Sequence, residues 1–186
     1  MKLISAALVF FLGLAMPARA QRTAYPPPQF TQRVQREVMH RILMLPYYGV
    51  FDAIGFKVDG YNVILLGKVT RPSLKDDAGH ALKGIEGVER VDNRIEVLPA
   101  SFFDDDIRRR MFRSIYGYTP LQRYALPPIK PIRIIVDRGH VTLEGVVDSK
   151  GDWNLVNIRA NGVPGVFSVT NNLVVVSDKA SAKKQK

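Results

Sequence analysis

The chain of 186 residues contains no cysteine. Without a thiol it can form no disulfide, supply no thiolate metal ligand and carry no lipid-modified cysteine of a lipoprotein. Histidine is scarce as well, since His40, His80 and His140 are far apart in the sequence. None of them stands at the H-x-H or H-E-x-x-H spacing of a metal site, so we expect no bound metal.

The motifs of the common enzyme classes are also missing. There is no G-x-S-x-G nucleophile elbow and no glycine-rich phosphate loop. The run Asp104-Asp105-Asp106 offers carboxylates, but consecutive residues point in different directions. At the start of a helix such a run complements the helix dipole. We therefore expect a protein that is not an enzyme, with no catalytic residue and no cofactor.

Long apolar runs are lacking except at the N-terminus. Residues 1–20 carry Lys2, an apolar run from Leu3 to Met16 and the sequence A-R-A at positions 18–20. This arrangement is typical of a signal peptide cleaved before Gln21. The run is shorter than the roughly 20 residues that cross a bilayer. We expect an exported protein, soluble in the periplasm of a Gram-negative cell and not a lipoprotein.

Acidic residues are outnumbered, with 17 Asp and Glu against 27 Lys and Arg, a formal charge of +10. Loss of the signal peptide removes Lys2 and Arg19 and no acid, which leaves +8. An exported basic protein meets anionic lipid head groups or peptidoglycan, and we expect no nucleic acid partner. We predict that residues 21–29, with three prolines, form an extended linker outside any helix and that residues 178–186 form a basic disordered tail.

What the chain does contain is an internal repeat. Residues 63–97 align without a gap on residues 141–175 at a constant offset of 78 positions. The alignment pairs Gly67 with Gly145, and it also pairs Asn93 with Asn171. An internal repeat of this kind indicates two copies of one small unit. We place the first unit at residues 30–98 and the second at 101–177.

Each unit is predicted as helix, strand, strand, helix, strand. Apolar residues recur at helical spacing in the first helix, as at Val34, Val38 and Ile42, whereas the strands alternate apolar and polar residues. The fold class is therefore α+β, with a three-stranded mixed sheet and two helices on one face in each unit. In the first unit Val91 to Val97 is predicted as one strand. The second unit has five extra residues in the loop from Leu126 to Pro131, which cannot be regular structure.

The repeated pattern V-x-L-x-G-x-V, a short helix and then G-V-x-x-V-x-N-x-L-x-V resembles the BON domain, the bacterial osmotic-shock and nodulation module. The second unit matches it from Val136 to Val175. The first departs, because Gly60 sits one place earlier than Gly139 and Ile95 replaces Leu173. The motif consists of small and apolar residues, so it defines a fold and no chemistry. We expect a bulge or a close helix approach at the two strand glycines, and structural roles for Gly67, Gly87, Gly139, Gly145 and Gly165.

A candidate lipid-binding surface lies at the first helix of the second unit. Phe102 and Phe103 precede arginines that oppose or flank the predicted apolar stripe. Basic residues beside exposed aromatics are typical of a surface that settles into a lipid interface. In the alternative, the helix face is solvated and the phenylalanines pack as a staple or in the domain junction. The residues of the hypothesis are Phe102, Phe103, Arg108, Arg109, Arg110 and Arg113.

Apolar residues at solvent-facing positions indicate a candidate interface. Trp153 aligns with Lys75, so the fold does not require an apolar residue there; it either forms an interface or folds over the adjacent loop. The outer face of the sheets is apolar enough to need covering, by domain packing or by a dimer. The sheet residues concerned are Ile64, Leu66, Ile135, Val146 and Val174.

The resemblance implies a double BON-domain protein that associates with anionic phospholipid or outer-membrane surfaces and supports envelope integrity or stress tolerance. The basic charge is compatible with this function. The alternative is a periplasmic structural adaptor that binds another envelope protein or peptidoglycan, or that forms a homo-oligomer.

Overall fold

The computed structural model describes residues 26–176. The predicted signal peptide, the first five linker residues and the basic tail lie outside the described residues. The first domain contains α1 (Pro28–Leu43), β1 (Ala53–Asp59), β2 (Asn62–Val69), α2 (Pro72–Leu82), β3 (Arg90–Asn93) and β4 (Glu96–Val97). The second contains α3 (Phe102–Tyr116), a 3-10 helix (Thr119–Ala125), β5 (Ile132–Asp137), β6 (His140–Val147), α4 (Lys150–Asn161) and β7 (Ser168–Val175).

Both domains have the predicted mixed sheet. In the first, β1 pairs antiparallel with β2, which pairs in parallel with β3 and β4. In the second, β5 pairs antiparallel with β6, and β6 pairs in parallel with β7. Two-residue turns join the hairpins, and the helices cross between the parallel strands, as such a connection requires. The predicted α+β class is confirmed.

Each domain has its own core, formed where the apolar stripes of two helices meet the apolar face of the sheet. In α1 and α3 the stripe recurs every four residues, so it remains on one side of the helix. The first core includes Val34, Val38, Ile42, Leu65, Leu74, Leu82 and Ile95. The second includes Ile107, Met111, Ile115, Ile134, Leu143, Val156 and Ala160.

Two element boundaries differ from the prediction. Helix α1 begins at Pro28, inside the segment that we predicted to lie outside any helix. Proline is tolerated in the first turn because its missing N–H has no partner there. The predicted strand from Val91 to Val97 is divided into β3 and β4, and the N–H of Ile95 donates to Asn93 Oδ1 at 3.2 Å. The second domain makes the same bond between Leu173 and Asn171 while β7 stays continuous, so this bond alone does not divide the strand.

The paired asparagines of the repeat connect the third strand to the crossover helix. Asn93 Nδ2 donates to Lys75 O at 2.7 Å, and Asn171 Nδ2 donates to Trp153 O at 3.4 Å. Each carboxamide oxygen also accepts the N–H two residues further on, which for Asn171 is that of Leu173. The asparagines therefore stabilise the packing of the helix on the sheet.

The strand glycines permit a close approach of the neighbouring strand rather than of a helix. Gly145 has φ of 119°, and a Cβ there would lie 1.9 Å from Pro131 O. Gly67 has φ of 123°, and its Cβ would lie 2.1 Å from Ala53 O. A side chain meets both a backbone clash and an unfavourable φ at these positions. Positive φ is shared by all five predicted structural glycines, Gly67, Gly87, Gly139, Gly145 and Gly165.

The domains contact one another at the start of β1 and along β5. Ala53, Leu98 and Ile135 form a small buried cluster between them. Lys68 Nζ lies 2.7 Å from Asp137 Oδ2. This hydrogen bond raises the pKa of Lys68 and lowers the pKa of Asp137. Of the sheet residues predicted for an interface, Ile135 is therefore buried in the domain junction.

Candidate lipid-facing site

The start of α3 presents aromatic side chains to solvent. Ser101 caps the helix by accepting the N–H of Asp104 at 3.2 Å, which sets Phe102 and Phe103 in the first turn. Because Ile107 occupies the buried side, Phe102 is 95% exposed and Phe103 is 49% exposed. The phenylalanines therefore do not act as a hydrophobic staple that buries them, and Phe102 contributes nothing to either core.

A third exposed phenylalanine lies beside them. The ring centroid of Phe167 is 6.1 Å from that of Phe103 and 5.9 Å from that of His140. Phe167 is 71% exposed. We call Phe102, Phe103, Phe167 and His140 the aromatic tip of the second domain. Phe167 could not be predicted from the repeat, because its counterpart in the first unit is Glu89.

Asp104 fixes the geometry of the aromatic tip. Its carboxylate is buried and accepts the N–H groups of Arg138 at 2.9 Å and Gly139 at 2.8 Å. Arg138 and Gly139 form the turn of the β5–β6 hairpin, and both have positive φ. A single carboxylate thus ties the start of α3 to the hairpin that carries His140, which is a more specific role than the dipole interaction expected from the sequence.

Arg108 does not belong to the lipid-facing surface, which corrects the prediction. Arg108 is only 4% exposed. Nη2 donates to Val136 O at 2.6 Å and Nη1 to Asp105 Oδ1 at 2.6 Å. The long side chain reaches over β5 and satisfies a backbone carbonyl at the sheet edge, a contact between elements that helical spacing alone does not reveal.

The other three arginines of α3 are exposed. Arg109 Nη2 lies 3.6 Å from Asp106, and Arg110 also pairs with Asp106. Within residues 26–176, no carboxylate lies within ion-pairing distance of Arg113. Arg113 and Arg110 line a shallow hollow of about 320 Å³ between α3 and α4.

Aromatic and basic groups share one face of α3. Residues three and four apart are neighbours on a helix, so Phe102 and Phe103 are followed along the face by Asp106, by Arg109 and Arg110, and by Arg113. The face combines three cations with the carboxylate of Asp106 and ends at the aromatic tip, while Asp105 at its margin pairs with Arg108. Five of the six residues predicted for lipid binding are brought together here.

The residues of the predicted interface do not form one surface. Trp153 is half-buried against the second core, and Lys150 Nζ lies 3.6 Å from its ring centroid. It therefore packs on its own domain rather than standing free. Leu66 is 45% exposed in a cleft of about 260 Å³ between the domains. Ile64 and Val146 are half-buried, whereas Val174 is exposed.

Residues 26–176 hold no group of three or more His, Asp or Glu side chains that could bind a metal ion. Within the same residues, no helix is both long and apolar enough to cross a membrane.

The sequence profile of the BON domain matches the chain twice, over residues 34–99 and 104–177. The chain therefore belongs to the BON domain family, and it carries two tandem copies, as the repeat predicted. BON proteins are linked to membrane- and envelope-associated roles.

No curated protein matches the chain significantly. Two solved structures are similar over most of it. The C-terminal domain of CdsD, the structural protein of the type III secretion system of Chlamydia trachomatis, is 13% identical with a TM-score of 0.35 and covers 81% of this chain and 68% of its own. A second structure of CdsD, 11% identical with a TM-score of 0.28, covers 83% of this chain and 98% of its own. TM-scores this low carry no functional argument.

Proposed function

We propose that this is an exported, non-enzymatic protein of the cell envelope that binds anionic phospholipid surfaces. Binding occurs through the aromatic tip and through the side of α3 that carries Arg109, Arg110 and Arg113, which we call the arginine face. The observation that carries the proposal is the position of the aromatic tip. Phe102, at 95% exposure, stands with two further exposed phenylalanines at the end of a helix face that carries three arginines.

Exposed phenylalanine is unfavourable in water and favourable at a lipid interface. Burying a phenylalanine side chain contributes about 1.5–3 kcal/mol relative to leaving it exposed. A basic side chain near an anionic surface contributes about 1 kcal/mol, and this contribution is screened within a Debye length. The geometry allows both, because the rings can enter the acyl boundary while the arginines remain at the level of the phosphates.

The biological role follows from the surface and the family together. A protein that settles on anionic lipid head groups at the envelope can support envelope integrity or stress tolerance, as the BON family association with the envelope suggests. The net positive charge of the chain favours the same surfaces.

Vesicle co-sedimentation tests the proposal. The purified chain beginning at Gln21 is mixed with vesicles of phosphatidylcholine alone or with a fraction of phosphatidylglycerol. We expect binding that requires the anionic lipid and decreases at high salt without disappearing, since the aromatic contribution does not depend on salt. Absence of binding to both kinds of vesicle, with the chain folded, would contradict the proposal and favour the adaptor alternative.

A further inference from the structure

A groove lies in the first domain, away from the aromatic tip. It runs between α1 and the outer edge of β1 and has a volume of about 840 Å³. Met39 and Leu43 form its wall on the helix, while Ile54 and Phe56 form its wall on the strand. Met39 is 48% exposed, so the groove presents apolar surface to solvent.

In the second domain the same place is filled by a part of the first domain. The turn that carries Val50 and Phe51 lies against the edge of β5, where Val50 O accepts the N–H of Ile134 at 2.9 Å. The ring of Phe51 packs edge-on to Phe112 of α3 at 6.3 Å. Tyr116 Oη completes the cover by donating to Ile132 O at 2.6 Å and accepting its N–H at 3.2 Å.

The internal repeat identifies the counterparts of these groups. The first helices align at an offset of 73, because the five extra residues of the second unit lie between its first helix and its sheet; Phe112 thus corresponds to Met39. The sheets align at the offset of 78, so Ile134 corresponds to Phe56. No residue among 26–176 accepts the outward N–H of Phe56 as Val50 accepts that of Ile134. The surface between helix and strand edge that is covered in the second domain is therefore open in the described part of the first domain. A strand edge of this kind is ready to pair with another chain.

The second unit has an exposed segment at the position that corresponds to the covering turn of the first unit. The turn at Val50 and Phe51 precedes β1, and the loop Leu126–Lys130 precedes β5. In that loop Leu126 is 82% exposed and Ile129 is 42% exposed. The prolines of the loop have no N–H but keep a carbonyl oxygen. A carbonyl oxygen is the acceptor that an unpaired N–H at the edge of β1 needs.

We propose that the loop Leu126–Lys130 of one molecule docks in the α1–β1 groove of a second copy, which repeats between molecules the contact made within the chain. Such an interface is heterologous, so it joins chains head to tail and leaves a free groove and a free loop at the two ends. The proposal is independent of lipid binding, since none of these residues belongs to the aromatic tip or the arginine face.

Two differences make the contact between molecules weaker than the internal one. Arg133 donates to Gly49 O at 2.6 Å and lies 4.3 Å from the ring of Tyr48, but its counterpart in the first domain is Gly55. The groove also carries Arg36, which has the same charge as Lys130 of the loop. Because like charges repel less when screened, association should strengthen as salt is added, the opposite of binding to anionic lipid.

Sedimentation velocity of the chain beginning at Gln21, in low and high salt and up to about 1 mM, tests the proposal. One variant blocks the groove with Met39→Glu, and the other blocks the loop with Leu126→Glu and Ile129→Glu together. All three side chains are exposed, so the circular dichroism spectra should be unchanged. Met44→Glu, at a 70% exposed position just after α1 and outside the groove, is the matched control.

We expect the unmodified chain and the control to form species larger than a dimer at high concentration. Each blocked variant should remain monomeric, whereas an equimolar mixture of the two should form dimers and nothing larger, because one intact groove meets one intact loop. A chain that stays monomeric at every concentration, association that either variant leaves intact, or a mixture that fails to dimerise would overturn the proposal. Dimers formed by one blocked variant alone would also contradict it, since they require a two-fold interface.

Discussion

Removal of the Phe102 ring tests how much the aromatic side chains contribute to the free energy of lipid binding, with little disturbance of the fold. At 95% exposure the side chain has almost no contact to lose when it is replaced by alanine. All of its apolar surface can therefore be transferred into a lipid interface. Insertion to partial depth should contribute about 1.5 kcal/mol to the free energy of binding. Phe102→Ala should weaken vesicle binding by about tenfold.

The neighbouring ring gives a graded comparison. Phe103 is 49% exposed and its ring already lies beside that of Phe167, so less of its surface remains to be transferred. Phe103→Ala should weaken binding by only about threefold, which corresponds to about half the contribution of Phe102. It should also lower the melting temperature slightly, whereas Phe102→Ala should not.

Titration with vesicles that contain phosphatidylglycerol, in low and high salt, measures both variants. The losses should persist in high salt because apolar burial is not screened. Met44→Ala provides a control at an exposed apolar side chain of the first domain, and it should leave binding unchanged. Unchanged affinity for Phe102→Ala, or an equal loss for Met44→Ala, would show that the aromatic tip does not enter the lipid.

Three further predictions concern charge, backbone and pH. Asp106→Asn should increase affinity for anionic vesicles about fivefold, since it frees the two arginines that the carboxylate pairs with; a decrease would refute the arginine face. Gly145→Ala should destabilise the second domain by about 3 kcal/mol or more in chemical denaturation. Gly55→Ala, whose Cβ meets nothing closer than 4.0 Å, should be nearly neutral, and equal effects would contradict the strand geometry. The lowered pKa of Asp137 means that its pair with Lys68 stabilises the domain junction above the ordinary Asp range and is lost as pH falls through the lowered value. Lys68→Met should remove less than about 1 kcal/mol and flatten the loss of stability as pH falls below the ordinary Asp range, measured by urea denaturation.

The repeat made most of the fold predictable. Apolar side chains at fixed spacing must share a buried face, so the stripe that includes Ile107 and Met111 could be identified before any contact was known. The strand glycines could be identified for a similar reason, although the repeat did not tell whether a helix or a strand approaches them. The structure shows a backbone carbonyl, that of Pro131 directly before β5, against Gly145.

The site was less predictable because its parts come from different elements. Arg108 follows the same helical pattern as its neighbours, and only the position of β5 shows that its guanidinium is buried. Phe167 joins Phe103 across a gap of more than sixty residues, in a place where the first unit has a glutamate. Likewise, the cover of β5 by Val50 depends on how the two domains pack, and neither copy of the repeat encodes that packing by itself.

Paramagnetic relaxation from spin-labelled lipid, recorded on the ¹⁵N-labelled chain bound to anionic bicelles, tests the central proposal most directly. We expect the strongest broadening at the amides of Phe102, Phe103 and Phe167 and at the hairpin turn around Arg138. It should fall off along α3 toward Tyr116, and the amides that line the α1–β1 groove should be unaffected. Broadening centred on the first domain, or spread evenly over both domains, would contradict the assignment of the aromatic tip as the lipid-binding surface.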